Sequence, residues 1–144
     1  MMRTSYLTES ALMERGWVFV FGSNLAGRHG KGAALTAARH FGAIRGKGEG
    51  LYGKSYALPT KDKQLRALPL SEIKTHLETF FECVKTRPEF VFYFTNIGCG
   101  LAGYSIKEIA PLIAEASGYK RYIPNLCFAD EKMMDAVDKV NFLH

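Results

Sequence analysis

Two stretches of this 144-residue sequence carry the residue types that handle phosphate. Gly22–Gly32, GSNLAGRHGKG, follows the apolar run Trp17–Phe21 and leads into alanine-rich sequence. Thr95–Tyr104, TNIGCGLAGY, follows a second such run, FVFYF at Phe90–Phe94. Glycines remove the side chains that would keep an anion from successive backbone N–H groups, and a strand–loop–helix path aims those groups at it. Two such loops on neighbouring strands would clamp a diphosphate from both sides.

Near-matches to known motifs narrow the chemistry. Gly22–His29, GSNLAGRH, departs from the nucleotide-hydrolase pattern GxxxxGK[ST] where that pattern is strict. Arg28 stands for the lysine and His29 for the magnesium-binding hydroxyl. A phosphate cradle survives these changes and a Mg-NTP hydrolase does not. Gly48–Gly53, GEGLYG, fits GxGxxG by letter, but a helix precedes it and a strand follows, the reverse of a dinucleotide fingerprint, so it reads as a flexible loop. Histidines and carboxylates nowhere take metal-ligand spacing, so neither a metal nor a cofactor is expected. Cys99 has no histidine placed beside it by sequence and reads as a small packing residue rather than a nucleophile. His29 reads either as a general acid–base and ribose contact or as an exposed polar turn residue, and Tyr104 either as a stacking ring or as the closure of its loop.

The elements that must position these residues alternate along the chain. Thr8 caps a short helix ended by Gly16, the strand Trp17–Phe21 follows, and a helix from about Lys31 to Phe41 stops at Gly42. Its alanines, Ala33, Ala34, Ala37 and Ala38, suit close packing on a sheet. Ile44–Lys54 is a loop, Ser55–Leu58 a short strand ending at Pro59, and Ser71 the N-cap of a helix with Ile73, Leu77, Phe80, Phe81 and Val84 on one face. Ser105 and Glu108 form a capping box after the second glycine loop. Tyr119–Phe128 holds an edge strand, because Pro124 disfavours a central place, and Asp130 caps the last helix. Alternating strands and helices predict an α/β fold with a mostly parallel sheet covered on both faces, in a single domain over residues 1–144. Both loops would then lie at the carboxyl ends of strands, where such folds bind ligands.

Composition sets the setting. A hydrophobic fraction of 47% with 23% charged residues is that of a folded globular chain. Nothing approaches a membrane span, Met1–Ser10 lacks a signal-peptide core, and the three cysteines have no disulfide or zinc spacing, so a reducing cytoplasm is expected. The net charge of +5 is uneven: Arg28–Arg66 holds nine basic residues against Glu49 and Asp62. A field of that sign on the glycine-rich third attracts a nucleotide or a polyanion, nucleic acid included.

The pair FGSNLAGRHGKGAA and FTNIGCGLAGY resembles the macrodomain superfamily, three-layer α/β/α modules that bind ADP-ribose on a mostly parallel, mixed sheet. IGCGL together with a lysine after a strand is most similar to the lysine-dependent terminal ADP-ribose glycohydrolases, and the chain also resembles macrodomain-like proteins of phages and bacteria. The resemblance spans roughly Trp17–Ala116. It implies that Asn24 lies near the distal ribose, with Gly30, Gly32 and Ala33 lining that loop. Gly98, Cys99, Gly100 and Leu101 would approach the diphosphate through their backbone, and Lys61 in LPTKD would attack the anomeric carbon. The candidate contacts are completed by Gly22, Ser23, Gly27 and Arg28 in the first loop and by Thr95, Asn96, Ala102, Gly103 and Tyr104 in the second. One departure bears on catalysis: the acid expected just after GCGL is Ala102. Asp62, beside Lys61, is the candidate substitute, although adjacent strand residues point to opposite faces. The implied functions are therefore an ADP-ribosyl hydrolase acting on a protein or nucleic-acid acceptor with Lys61, Asp62 and His29 as its catalytic candidates, a non-catalytic reader of ADP-ribose, or a nucleic-acid-binding domain using its basic face.

Overall fold

The computed structural model describes residues 2–144. In chain order its elements are β1 (Arg3–Thr4), α1 (Glu9–Arg15), β2 (Val18–Asn24), α2 (Gly32–His40), β3 (Gly50–Tyr52), β4 (Ser55–Lys61), α3 (Leu70–Thr86), β5 (Phe92–Phe94), α4 (Ile106–Ala116), β6 (Leu126–Phe128) and α5 (Glu131–Phe142). The strands form one six-stranded sheet in the order β1-β6-β5-β2-β4-β3. Every pairing is parallel except β3 with β4.

Strict alternation along the strands makes three layers. Val18 and Val20, Tyr56 and Leu58, Phe92 and Phe94, and Leu126 and Phe128 point into the larger core with α3, α4 and α5. Their neighbours Phe19, Phe21, Ala57, Tyr93 and Cys127 point the other way, onto Leu12 of α1 and Ala34 and Ala37 of α2. Strands buried on both faces are continuous apolar runs, which is why β2 and β5 were legible. Phe80 anchors the larger core, its ring 4.9 Å from Tyr56, 5.7 Å from Phe92 and 5.5 Å from Phe94. On the thinner side Ala34 and Ala37 let α2 lie close to the sheet, while Ala33 and Ala38 are exposed.

Several boundaries differ from the sequence expectation. Strand β2 runs through Gly22 and Ser23 to Asn24, and β4 runs through Pro59 to Lys61. Pro59 is tolerated because β3 pairs only with Ser55–Ala57, so the missing N–H leaves no ladder bond open on that side. The supposed loop Ile44–Lys54 contains β3, which turns back on β4 as a hairpin. Helix α3 starts at Leu70 with Pro69 in the N-cap position, not at Ser71, since proline lacks the N–H that the first turn leaves unpaired. Finally, β6 is interior: β1 covers its outer side, and Pro124 falls before the strand begins. Thr8 and the Ser105–Glu108 capping box start their helices as expected. Among the described residues no helix is long and apolar enough to cross a membrane, and no three metal-ligating side chains gather.

Candidate ligand-binding cleft

The carboxyl ends of β4, β2 and β5 open into a cleft of about 700 Å³. The helices that follow β2 and β5 pack on opposite faces of the sheet, α2 on the thin side and α4 on the thick side. Adjacent parallel strands whose chains depart to opposite faces leave a crevice between them, the usual ligand position of such sheets.

The first wall is the segment from Gly22 to Ala34. Asn24 folds the loop back on itself: its Oδ1 accepts from the Arg28 N–H at 3.0 Å and its Nδ2 donates to the Arg28 carbonyl at 2.9 Å. Each of these two side-chain atoms keeps one further hydrogen-bonding capacity. Helix α2 begins with no side-chain cap and no acid in its first turn. Gly32, Ala33 and Ala34 line the cleft at the start of this helix, where N–H groups have no intrahelical acceptor and the positive end of the helix dipole lies.

This wall is supported from behind by the second glycine-rich segment, which is packed rather than flexible. The Gly46 N–H donates to the Gly27 carbonyl at 2.9 Å, and the Ser23 hydroxyl donates to the Gly48 carbonyl. A Cβ at Gly48 would lie 2.3 Å from the Asn24 carbonyl oxygen, and one at Gly27 would lie 2.4 Å from the Gly46 carbonyl carbon, so two backbones meet where side chains have no room. Glu49 then ties the segment to α3 through His76, at 2.7 Å.

The second wall is the loop from Thr95 to Ala102. The Thr95 hydroxyl donates to the Val20 carbonyl at 2.6 Å, which binds the start of this loop to β2. The Tyr104 N–H closes on the Gly98 carbonyl at 2.9 Å, and its hydroxyl donates to the Leu68 carbonyl at 2.6 Å. Inside that frame, no backbone carbonyl among the described residues accepts from the N–H groups of Gly98, Gly100, Leu101 or Ala102. Gly98 has φ 80°, and a Cβ there would meet Ile109 Cδ1 at 2.7 Å. At the rim, Asn96 donates to Asp130 at 2.6 Å, and that bond, with the α5 amides, holds the Asp130 carboxyl below its ordinary range. Burial pushes the Cys99 thiol up, reinforced by Asp130 and Glu108, the opposite of the shift that activates a thiol as a nucleophile.

Lys61 closes the third side. It ends β4 opposite Asn24, half-buried, at a point where the register of β2 and β4 shifts. Asp62 does not join it. Asp62 accepts from the N–H groups of Gln64 and Arg66, each at 2.9 Å, and pairs with the Arg66 guanidinium at 3.4 Å. The Arg66 N–H first, then Gln64 and the Arg66 charge, hold its carboxyl below the usual range. It shapes the turn after β4 and is absent from the cleft lining.

The structure thus brings together Gly22, Ser23, Asn24, Arg28, Gly30, Gly32 and Ala33 with Lys61 and with Thr95, Asn96 and Gly98 through Ala102. Besides Asp62 it leaves out four residues. Gly27 faces the supporting segment, and Gly103 and Tyr104 close the second loop from outside. His29 is 2% exposed, its ring edge-on to Phe21 at 5.3 Å and its Nε2 bonded to the Ile44 carbonyl at 3.1 Å. It is a buried strut of the first loop, not a polar group in the cleft. Lys31, Ala34, Thr60 and Leu65 line the cleft without having been singled out from sequence. Lys31 and Ala34 lie inside a stretch already of interest, and Thr60 precedes Lys61, but nothing local marked Leu65. Among the described residues three cations, Arg28, Lys31 and Lys61, line the cleft and no carboxylate does.

By comparison with solved structures, this is the fold of the macrodomains. The chain is similar to the macrodomain of Mycobacterium tuberculosis DarG (TM-score 0.61, 16% identity, 91% of this chain and 99% of that one). It is also similar to Thermosipho africanus DarTG, solved in complex with ADP-ribose (TM-score 0.60, 15% identity, 84% of this chain), of which it spans only 40% of the length. A Bacteroides thetaiotaomicron protein of unknown function has the same fold (TM-score 0.61, 16% identity, 90% of this chain and 98% of that one). No protein-family model matches the sequence, and no curated protein does.

Proposed function

We propose that this cleft binds ADP-ribose, free or attached to a macromolecule, and that Lys61 releases it from its acceptor. The observation that carries the proposal is the pair of opposed walls on adjacent strands, each offering unpaired N–H groups, in a cleft lined by three cations and no carboxylate. That is the complement of a diphosphate. The fold it shares with DarTG, which was solved with ADP-ribose, supports the same ligand.

In the catalytic step the Lys61 amine donates its lone pair to the anomeric carbon of the distal ribose while the bond to the acceptor breaks. The acceptor leaves with the electron pair of the broken bond and takes up a proton. Water then hydrolyses the lysine adduct, returning the free amine and ADP-ribose. The N–H groups of the second loop hold the diphosphate throughout, so the ribose is fixed against Lys61.

A reader without turnover is the second reading, favoured by Ala102 at the expected acid position and by the engagement of Asp62 in its own turn. Calorimetric titration of ADP-ribose into wild type and Lys61→Ala, followed by release assays on ADP-ribosylated protein and nucleic acid, separates the two. Absence of binding by the wild type would sink the ligand assignment; equal release by both proteins would leave a reader.

A further inference from the structure

Leu65 has φ 65°, a backbone conformation that branched L residues rarely adopt. The other non-glycine residue in this region, Tyr119 at φ 57°, has a local reason for it. Tyr119 closes the end of α4, its N–H reaching the Ala114 carbonyl at 2.8 Å, and its ring packs on the larger core. Leu65 also closes a turn through its N–H, but its side chain gains no such packing. It belongs to neither core, is 41% exposed and lines the cleft together with Lys61. Glycine or asparagine would make this turn without the steric conflict. An observed outlier at a cleft points to a functional demand on the side chain itself.

The turn that holds Leu65 is tightly built. Its N–H donates to the Asp62 carbonyl at 3.1 Å, and the Asp62 N–H donates to the Arg66 carbonyl at 2.8 Å. Lys61 and Ala67 pair across its base. Leu65 is therefore presented at a fixed position beside the lysine. Leu101, 67% exposed and also outside both cores, comes to the same cleft from the second loop. Among the described residues no aromatic side chain lines the cleft, so these leucines are its only large apolar surfaces.

Resting on the ligand and the role of Lys61 given above, we propose that Leu65 is a specificity-determining contact for the group attached to the anomeric carbon, and that it favours a flat, uncharged substituent. A group on that carbon must leave the cleft past the lysine and hence past the 62–66 turn. An apolar face there gains from covering a flat ring and penalises a charged group, which would lose hydration against it.

NADH tests this directly, because it is ADP-ribose with an uncharged dihydropyridine ring on the anomeric carbon. Dissociation constants for NADH and ADP-ribose are measured by calorimetry on wild type, Leu65→Gly and Leu65→Asn. The wild type should prefer NADH by about fivefold, the scale of one partly covered apolar side chain. Both variants should weaken NADH more than ADP-ribose, so that the preference collapses, while melting no lower than wild type because the left-handed leucine is gone. A wild type that binds ADP-ribose without preferring NADH overturns this proposal alone, as does a preference that survives in Leu65→Gly or an equal loss for both ligands. A wild type that binds neither overturns the ligand assignment along with it.

Discussion

Asn24 on β2 and Lys61 on β4 stand opposite each other because the register slips by one residue after Ser23 and Pro59, leaving Thr60 without a partner in β2. Such a slip re-aims the side chain that follows it. Here it delivers a lysine to the open end of the sheet, against the residue that shapes the first loop. Thr60 is held in place by its own hydroxyl, 3.3 Å from the Ser23 carbonyl.

If Lys61 is the catalyst, Lys61→Ala and Lys61→Arg should both lower release of ADP-ribose by at least about a hundredfold, the least that a group acting directly in the step contributes. Arginine keeps the charge but offers no nucleophile, so rescue by Lys61→Arg would show a purely electrostatic role. Single-turnover release from modified protein and nucleic acid is the measurement.

The second loop makes opposite demands of two neighbouring glycines. Gly98→Ala places a Cβ 2.7 Å from Ile109 at φ 80°, so it should destabilise the fold by about 1–2 kcal/mol and weaken ADP-ribose binding. At Gly100 a Cβ meets nothing within 4 Å. Gly100→Ala should keep the wild-type melting temperature and lose affinity only if ligand passes close to that backbone. Thermal melts paired with calorimetry distinguish the two effects.

Asp62 gives the site an acid limit. Its folded-state carboxyl holds a proton less readily than in the unfolded chain, chiefly through the Arg66 N–H. The stabilisation is complete above the ordinary carboxylate value of about 4 and is lost as pH falls through the lower folded value. Amide exchange at Gln64 and Arg66 should accelerate across that window, and Asp62→Ala should produce the same acceleration at neutral pH. Protection that is indifferent to both changes would remove Asp62 as the keystone of the turn.

His29 donates from Nε2 to the Ile44 carbonyl, and its buried Nδ1 has no hydrogen-bond partner among the described residues. His29→Ala should therefore cost stability, on the order of 1–3 kcal/mol, through the lost bond and the loosened first loop. It should not remove a limb from the pH profile of the residual activity. A missing limb would return His29 to the chemistry.

A pocketed nucleotide and a polyanion on the basic face respond differently to salt. Raising salt from about 50 to 200 mM should weaken duplex DNA binding by orders of magnitude if several phosphates are neutralised, and ADP-ribose binding far less. Equal salt slopes for both ligands would place them on the same surface.

How much of this was legible depended on whether a feature is local. The apolar runs of β2 and β5, the two glycine loops and the Ser105–Glu108 cap are written in adjacent residues. Strand β3 was not, because GEGLYG carries loop residues and becomes a strand only by pairing with Ser55–Ala57. The interior place of β6 depends on Arg3 and Thr4, which lie beside Cys127 and Phe128 only in the folded chain. His29 looked like a cleft residue because nothing near it in sequence reveals the Ile44 carbonyl that draws it inward. Leu65 was invisible for a different reason: its place in the cleft lining depends on a turn with a left-handed backbone angle that a leucine does not announce.

The segment behind the first wall has a consequence for how this surface can change. It holds the wall by backbone, through Gly46 on Gly27 and Gly48 against Asn24, while its charged side chains Arg45 and Lys47 point to solvent. Shape and field are thus set by separate atoms of the same few residues. Substitutions at 45 and 47 can retune attraction to a charged macromolecule without moving the pocket, so the charge around the cleft and the shape inside it can be altered independently.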